Sequence, residues 1–201
     1  MVGEIEAGEK RGRGRPAAGP ERRDALVLAT YHAIARDGFE GLRMRAIATE
    51  AGVDHSTIRH YFESKEALIE AVAAYATGQF RSTTPATGSA VERLAAHLRT
   101  LADRIVAEPG LHAVLRELDL RAKRDDSLRA TIDALEDGWR GSLTGVLTEA
   151  LRDGTLNPAV IPRDTAELII ATVKGASLGA ATARTVLDQL FGLLTTAGDP
   201  C

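Results

Sequence analysis

One run, residues 44–65, constrains the fold more than any other part of this 201-residue chain, because two short helical patterns flank a glycine. In the first pattern Ile47, Ala48 and Ala51 recur at helical spacing and predict one buried face. Gly52 follows, and glycine readily takes the positive φ at which a helix ends. The small side chain of Ala48 would let a second helix cross closely. The run therefore predicts a helix, a sharp turn and another helix.

The second helical pattern begins at Asp54, whose side-chain oxygen can cap it, and Ile58 and Phe62 would turn inward four residues apart. A helix exposed in this way fits the major groove of DNA, where its first residues meet base edges. Its outward residues are His55, Ser56, Arg59 and His60. The candidates to read bases are Arg59, His55 and Ser56. The candidates to contact phosphates are Thr57, Tyr61 and Lys65. An ordinary solvated helix face is the alternative interpretation.

These residues and their neighbours resemble the DNA-binding domain of the TetR/AcrR-type transcriptional regulators. The similarity covers Arg23–Leu68, about a quarter of the chain, and lies in Gly38-Phe39, Ile47-Ala48, Ala51-Gly52-Val53, Tyr61-Phe62 and Ser64-Lys65-Glu66-Ala67-Leu68. The resemblance implies an all-α subunit, with an N-terminal three-helix helix-turn-helix DNA-binding domain and a helical C-terminal ligand-binding and dimerisation domain. It also implies base or groove contacts from Arg45, His55, Ser56 and Arg59, and backbone contacts from Thr57, Tyr61 and Lys65.

One position departs from the family pattern. A Ser or Thr usually precedes the first motif helix in that family, where it caps the helix and contacts phosphate, whereas this chain has Arg43. The charge of Arg43 can still reach the DNA backbone, although arginine is not one of the residues that cap helices well.

The composition favours helix and a reducing compartment. Aromatic residues make up only 4% of the chain, apolar residues make up 44%, and β-branched runs are scarce. The single cysteine, Cys201, excludes an internal disulfide framework and a cysteine-ligated zinc site. No segment approaches eighteen uninterrupted apolar residues. We therefore expect a cytoplasmic protein with no membrane span and no cofactor.

The net charge of −3 hides a modest asymmetry along the chain. Residues 10–66 hold eleven Lys or Arg and eight Asp or Glu, whereas residues 67–201 hold fourteen and seventeen. A few cations at fixed positions, rather than a large basic field, would have to hold DNA.

The N-terminal segment contains a possible second DNA contact. Residues 1–19 have no apolar periodicity and are predicted to form a disordered basic arm, in which Arg13 and Arg15 alternate with glycine. Such an arm can enter the minor groove beside a recognition helix, or it can be a solvated tail that adds only non-specific affinity. The predicted DNA-binding domain then covers residues 20–66.

Residues 67–201 are predicted to form a helical body for ligand binding and dimerisation. A helix with Tyr75 on its inward face should run from 64 to about 80 and link this body to the DNA-binding domain. Helices over 91–107, 109–123, 127–153, 163–183 and 184–196 should follow. Trp139 could line an apolar pocket or simply belong to the core. The candidate ligand-binding residues are Leu98, His112, Leu115, Arg116, Trp139 and Leu143. The shortage of aromatics leans towards an aliphatic or acyl ligand.

The last two helices are more apolar than the surface of a monomer needs. Gly175 and Gly179 are spaced so that another helix could approach closely. In the family that the chain resembles, the two C-terminal helices pair with their copies, which implies a homodimer. The candidate interface residues are Ile169, Val173, Gly175, Ala176, Gly179, Leu187, Leu190, Phe191 and Leu194.

Other functional classes fit less well. His32, His97 and His112 have no second ligand four residues on, so no metal site is expected. Acidic and hydroxyl residues show no catalytic spacing, and no phosphate loop follows a strand, so we do not expect an enzyme. The prediction is a ligand-responsive repressor that a small hydrophobic molecule releases from a palindromic operator. The alternative is a constitutive DNA-binding or architectural protein without an inducer.

Overall fold

The computed structural model of the chain describes residues 19–81 and 83–195. Within these residues the regular structure is helical, apart from an isolated antiparallel bridge between Leu156 and Thr195. The helices are α1 (Gly19–Asp37), α2 (Met44–Glu50), α3 (His55–Tyr61), α4 (Lys65–Arg81), α5 (Ala90–Ala107), α6 (Pro109–Ala122), α7 (Asp126–Arg152), α8 (Pro162–Ala176) and α9 (Ala183–Leu194). The predicted all-α fold is confirmed. The predicted arm, with Arg13 and Arg15, lies outside the described residues.

Helices α1, α2 and α3 form a small N-terminal unit, called the head below. α1 packs on α2, and α2 packs on α3 in the helix-turn-helix arrangement. Its core consists of apolar side chains that are at most 4% exposed, among them Leu26, Ile34, Ile47, Ile58 and Phe62. Burial of this one face per helix holds three helices together, two of which have only seven residues.

Helices α4 to α9 form the body. α4 leaves the head and packs along α7, which also contacts α5, α6 and α8. α9 packs on α5 and α8, whereas α6 touches α1 of the head as well as α4 and α7 of the body. α4 and α6 are therefore the two body helices that connect the head with the centre of the body.

Two details differ from the sequence-based expectations. The helix predicted over 163–183 ends at Ala176 and is followed by a short 3₁₀ turn at Ala180–Thr182. Gly175 and Gly179 favour this early end, because glycine loses more backbone entropy in a helix than other residues do. Tyr75, predicted to face inward, is 37% exposed and stacks edge-on against Tyr31.

No helix within residues 19–81 and 83–195 combines the length and the apolar character that crossing a bilayer requires.

Candidate nucleic-acid interface and ligand cavity

The turn between α2 and α3 is closed by backbone hydrogen bonds. The N–H of Val53 donates to the carbonyl of Ala48 at 2.9 Å, and that of Gly52 donates to the carbonyl of Thr49 at 3.1 Å. Gly52 has a φ of +66°, in the left-handed region that an L side chain rarely adopts. The glycine therefore ends α2 as predicted and directs the chain into α3.

Asp54 caps α3. Its Oδ1 accepts hydrogen bonds from the backbone N–H and the hydroxyl of Ser56, both at 3.1 Å. These two bonds, the backbone one first, hold the pKa of the Asp54 carboxyl below its ordinary value. The cap is therefore ionised at neutral pH, and it fixes the first turn of α3 and the side chain of Ser56.

The outward face of α3 is formed by polar side chains. Ile58 and Phe62 point inward and are each 4% exposed, which leaves the opposite face of the helix free. The guanidinium of Arg23 lies 4.9 Å from the centroid of the Phe62 ring and covers it. The exposed side chains of α3 are His55, Ser56, Arg59 and His60. Those of Thr57, Tyr61 and Lys65 are partly buried at the edge of this face. Their contacts with DNA stay a prediction.

Arg43, just before α2, and Arg45, in the first turn of α2, are also exposed. Arg43 gives α2 no side-chain cap, and its guanidinium instead donates to the carbonyls of Glu40 at 2.8 Å and Leu42 at 3.3 Å. Those carbonyls are neutral, so the charge of Arg43 stays available to an anion. Ser64 caps α4 by accepting a hydrogen bond from the N–H of Ala67 at 3.0 Å, and this places Lys65 at the start of α4.

A cavity of about 80 Å³ lies in the body between α4, α6, α7 and α8. The predicted ligand-binding residues that line it are His112, Leu115, Arg116 and Trp139. Leu98 and Leu143 are not among its lining residues and are buried elsewhere in the core. Lining residues that the sequence analysis missed are Thr77, Leu118, Asp119, Ile132, Leu135, Glu136, Val173, Lys174 and Ser177. Helical spacing could have identified Ile132 and Leu135, since they lie seven and four residues before Trp139 and therefore on the same side of α7.

The edge of the cavity carries charged groups. Lys174 pairs with Glu136 and with Asp119, whose Oδ2 lies 3.3 Å from Nζ. Burial opposes the charge of Lys174, but its carboxylate partners prevail and raise its pKa. Arg116 donates to the carbonyl of Ser177 at 3.0 Å and, within the described part of the chain, forms no ion pair with a carboxylate. Arg116 is therefore a cation at this edge whose charge no described acidic residue neutralises.

Two buried histidines lie near the cavity. Burial lowers the pKa of His112, and the charge of Arg116 lowers it further. Burial also lowers the pKa of His97 to about 4. Nε2 of His97 accepts the indole N–H of Trp139 at 3.1 Å, while Nδ1 lies 2.8 Å from the hydroxyl of Thr83. Both imidazoles are therefore neutral at pH 7.

The predicted dimer interface needs a correction. Six of its side chains are at most 8% exposed because they pack into the subunit's own core: Ile169, Val173, Ala176, Leu187, Leu190 and Leu194. Gly175 and Gly179 are exposed, and Phe191 is partly buried. The outward apolar side chains of this region are instead Leu168, Leu178, Val186 and Leu193, which are 50%, 76%, 40% and 64% exposed. We call these four residues the C-terminal apolar face.

Comparisons with known proteins agree with this geometry. Residues 26–72 match the model of a family described as bacterial regulatory proteins, tetR family. A fatty acid metabolism regulator protein from Bacillus subtilis (strain 168) is 26% identical over 152 residues, which are 74% of this chain and 77% of that protein.

Two solved structures share the fold over most of both chains. One is the transcriptional regulator FadR from Bacillus subtilis in complex with stearoyl-CoA, with 22% identity, a TM-score of 0.68, and coverage of 85% of this chain and 98% of that chain. The other is AibR in complex with isovaleryl coenzyme A and operator DNA, with 23% identity, a TM-score of 0.68, and coverage of 87% and 98%.

Proposed function

Because the chain belongs to the TetR family of bacterial regulatory proteins, we propose that it is a homodimeric repressor that an acyl thioester of coenzyme A releases from a near-palindromic operator. The regulator class follows from the family. The repressor role, the dimer, the operator and the effector are the proposal.

The exposed polar face of α3 carries the DNA half of the proposal. Ile58 and Phe62 fill the core of the head, so His55, Ser56 and Arg59 are left together on the outside of a capped helix. A side chain of arginine can pair with guanine through two hydrogen bonds, which is the commonest base-specific contact. The N-terminal residues of a recognition helix are those that meet base edges.

The C-terminal apolar face supports the homodimer. Leu178 and Leu193 are more than half exposed, and exposed side chains of this size are stabilised when a second surface covers them. In the proposed dimer α8 and α9 pair with their copies and hold the two α3 helices about 34 to 36 Å apart, one turn of DNA. Two heads at that spacing would read the two halves of an inverted repeat.

The cavity supports the acyl ligand. Its inner lining includes Leu118, Ile132 and Val173, each at most 5% exposed, so an apolar chain would make favourable apolar contacts there. Arg116 at the edge could pair with a phosphate of the coenzyme A moiety. Two proteins of this fold have acyl-CoA ligands, stearoyl-CoA in one and isovaleryl coenzyme A in the other.

The proposed test measures DNA binding and its release. A labelled duplex that contains an inverted repeat from the DNA flanking this gene is titrated with the protein, and fluorescence anisotropy is compared with that of a shuffled duplex. We expect a preference of at least a hundredfold, which isovaleryl-CoA or stearoyl-CoA should reduce. Equal affinity for both duplexes would refute sequence-specific binding. Operator binding that no acyl-CoA changes would favour the constitutive DNA-binding protein instead.

A further inference from the structure

Trp139 separates the cavity from α5. It is the only tryptophan of the chain, and its side chain lines the cavity while being only 8% exposed. α5 packs against α7, yet none of the described lining residues comes from α5. Leu98 of α5 and Leu143, four residues beyond Trp139 on α7, are buried outside the lining. The indole is therefore part of the wall that closes the cavity towards the core.

His97 of α5 holds the indole in this orientation. An indole N–H can only donate, so Nε2 of His97, 3.1 Å from Nε1 of Trp139, must be its acceptor. The ring proton then lies on Nδ1, which is 2.8 Å from the hydroxyl of Thr83 and 3.1 Å from that of Thr84. A buried donor that loses its partner is costly. Rotation of the indole out of the wall is therefore opposed by this bond.

The size of the cavity limits what can enter. A cavity of about 150 Å³ holds benzene, whereas this one measures about 80 Å³. At about half that volume it has room for roughly three carbons, such as the branched end of an isovaleryl group, with the rest of the thioester at the edge. A long straight chain would need the space that the indole and the side chains behind it fill. Cores packed at crystal-like density do not supply such space without moving side chains.

We infer that Trp139 sets the upper limit on the acyl group that this cavity accepts, and that His97 is the positioning residue that keeps it there. The inference rests on the proposed function, in which an acyl thioester is the effector, and it narrows the effector to short acyl groups. Trp139 is then the specificity-determining residue of the site. Without its side chain, an acyl chain could pass towards Leu98 and Leu143.

The test compares two probes by isothermal titration calorimetry with the full chain, isovaleryl-CoA and stearoyl-CoA, each below its critical micelle concentration. We expect the unmodified protein to bind isovaleryl-CoA at least tenfold more tightly. Trp139→Ala should reverse that order, and Trp139→Phe, which keeps most of the volume, should narrow the ratio. The matched control is Leu147→Ala, which truncates a fully buried side chain on the same helix outside the lining and should leave the ratio unchanged.

His97 is tested through the same ratio. His97→Leu removes the acceptor and should reduce the preference for isovaleryl-CoA at least threefold, whereas His97→Gln, whose amide oxygen can accept the indole N–H, should restore it. A merely structural role would weaken both ligands alike and leave the ratio where it was. In the His97 variants the fluorescence of Trp139 also reports whether the indole has moved into a more polar environment.

The outcomes separate the inference from the function on which it rests. Stearoyl-CoA bound as tightly as isovaleryl-CoA, or folded Trp139 variants with an unchanged ratio, would overturn the size limit and leave the acyl-responsive regulator intact. Operator binding without affinity for either thioester would overturn the effector class and the size limit together. If Trp139→Ala fails to fold, an unchanged ratio of the two affinities in both Trp139→Phe and His97→Leu would still overturn the inference.

Discussion

The carboxylate of Glu117, on α6, accepts a hydrogen bond from the backbone N–H of Phe39 at 3.4 Å. Phe39 belongs to the connection between α1 and α2, and the guanidinium of Arg121 lies 5.1 Å from the centroid of its ring. Leu115 and Arg116, the two residues immediately before Glu117 on the same helix, line the cavity. α6 therefore contacts the head with one face and the cavity with another, so a ligand that shifts α6 would act on the head directly.

Glu117→Gln is expected to weaken the coupling between ligand and DNA without changing either site. Hydrogen bonds to charged groups contribute about 1.5–3 kcal/mol, and glutamine keeps an acceptor oxygen but removes the charge, so only part of that energy is lost at this separation of 3.4 Å. Couplings between sites are typically about 1–3 kcal/mol. The variant should bind isovaleryl-CoA normally, while the factor by which the ligand lowers operator affinity falls several-fold. Anisotropy titrations with and without ligand measure that factor.

The control for this variant is Asp164→Asn, which neutralises an exposed acid on the first turn of α8. Its coupling factor should equal that of the unmodified protein. An unchanged factor in Glu117→Gln as well would mean that the contact with Phe39 transmits nothing.

Arg59→Ala is expected to relax sequence preference, because the side chain lies on the outward face of α3 and reaches no other described residue through an ion pair. Loss of a two-bond contact with a base should reduce operator affinity by about 1–3 kcal/mol and leave affinity for shuffled DNA nearly unchanged. Lys65→Ala should weaken both duplexes alike, since phosphate contacts carry no sequence information.

Arg163→Ala serves as the control for Arg59 and Lys65, because it removes an exposed cation from α8, far along the chain from the head. Its affinity for both duplexes should stay that of the parent protein. If Arg59→Ala and Lys65→Ala changed the two duplexes by the same factor, Arg59 would be a phosphate contact and not a base-reading residue.

The head could be predicted from the sequence because its signals are local. A glycine with positive φ, a capping aspartate and an apolar pair four residues apart each act within one or two turns, and all three occur in the structure as expected: Gly52, Asp54, and Ile58 with Phe62. Such features depend little on the rest of the chain. The positions of these residues along the sequence were therefore sufficient to predict the helix-turn-helix.

The cavity and the exposed C-terminal face could not be predicted to the same detail. Helical periodicity shows which side of a helix is apolar, but it does not show which other helix that side meets, so Leu98 and Leu143 were assigned to a cavity that they do not line. α8 is apolar on two sides, with Ile169 in the core and Leu168 on the surface. Only the packing of α8 on α7 and α9 separates these two sides.

Charge placed on the C-terminal apolar face is expected to dissociate the proposed dimer. Leu168→Arg and Leu193→Arg change side chains that are 50% and 64% exposed in the subunit, so neither should disturb the fold of the monomer. Burying an unpaired charge against a partner is strongly unfavourable. Light scattering after size-exclusion chromatography should give half the parent mass, and operator affinity should fall at least a hundredfold because one head alone binds a half-site.

Val106→Arg is the matched control for the dimer variants, because it places the same charge on a 59% exposed valine of α5. It should retain the parent mass and the parent affinity for the operator. A parent protein that is already monomeric, or Leu193→Arg that remains a dimer, would place the pairing surface elsewhere.

Stability should fall with acid in a way that depends on His97. In the folded protein its pKa is lowered to about 4 from an ordinary 6.5, so between these values the unfolded chain binds the proton and the folded one does not. The contribution of His97 to the free energy of unfolding is therefore fully present above pH 6.5 and decreases as the pH falls towards 4. At 1.36 kcal/mol per pKa unit, lowering the pH from 7 to 5 should cost about 2 kcal/mol through this one group.

Urea unfolding of the unmodified protein and of His97→Gln at the two pH values isolates that contribution, because carboxylates and His112 contribute equally to both proteins. The pKa of His112 is lowered as well, first by burial, so some loss of stability in acid should remain in the variant. Between pH 7 and pH 5 the unmodified protein should lose about 2 kcal/mol more of its free energy of unfolding than His97→Gln does. Parallel slopes would mean that His97 already takes up a proton in the folded state near pH 6, and its imidazole could then not be the fixed acceptor of the Trp139 indole.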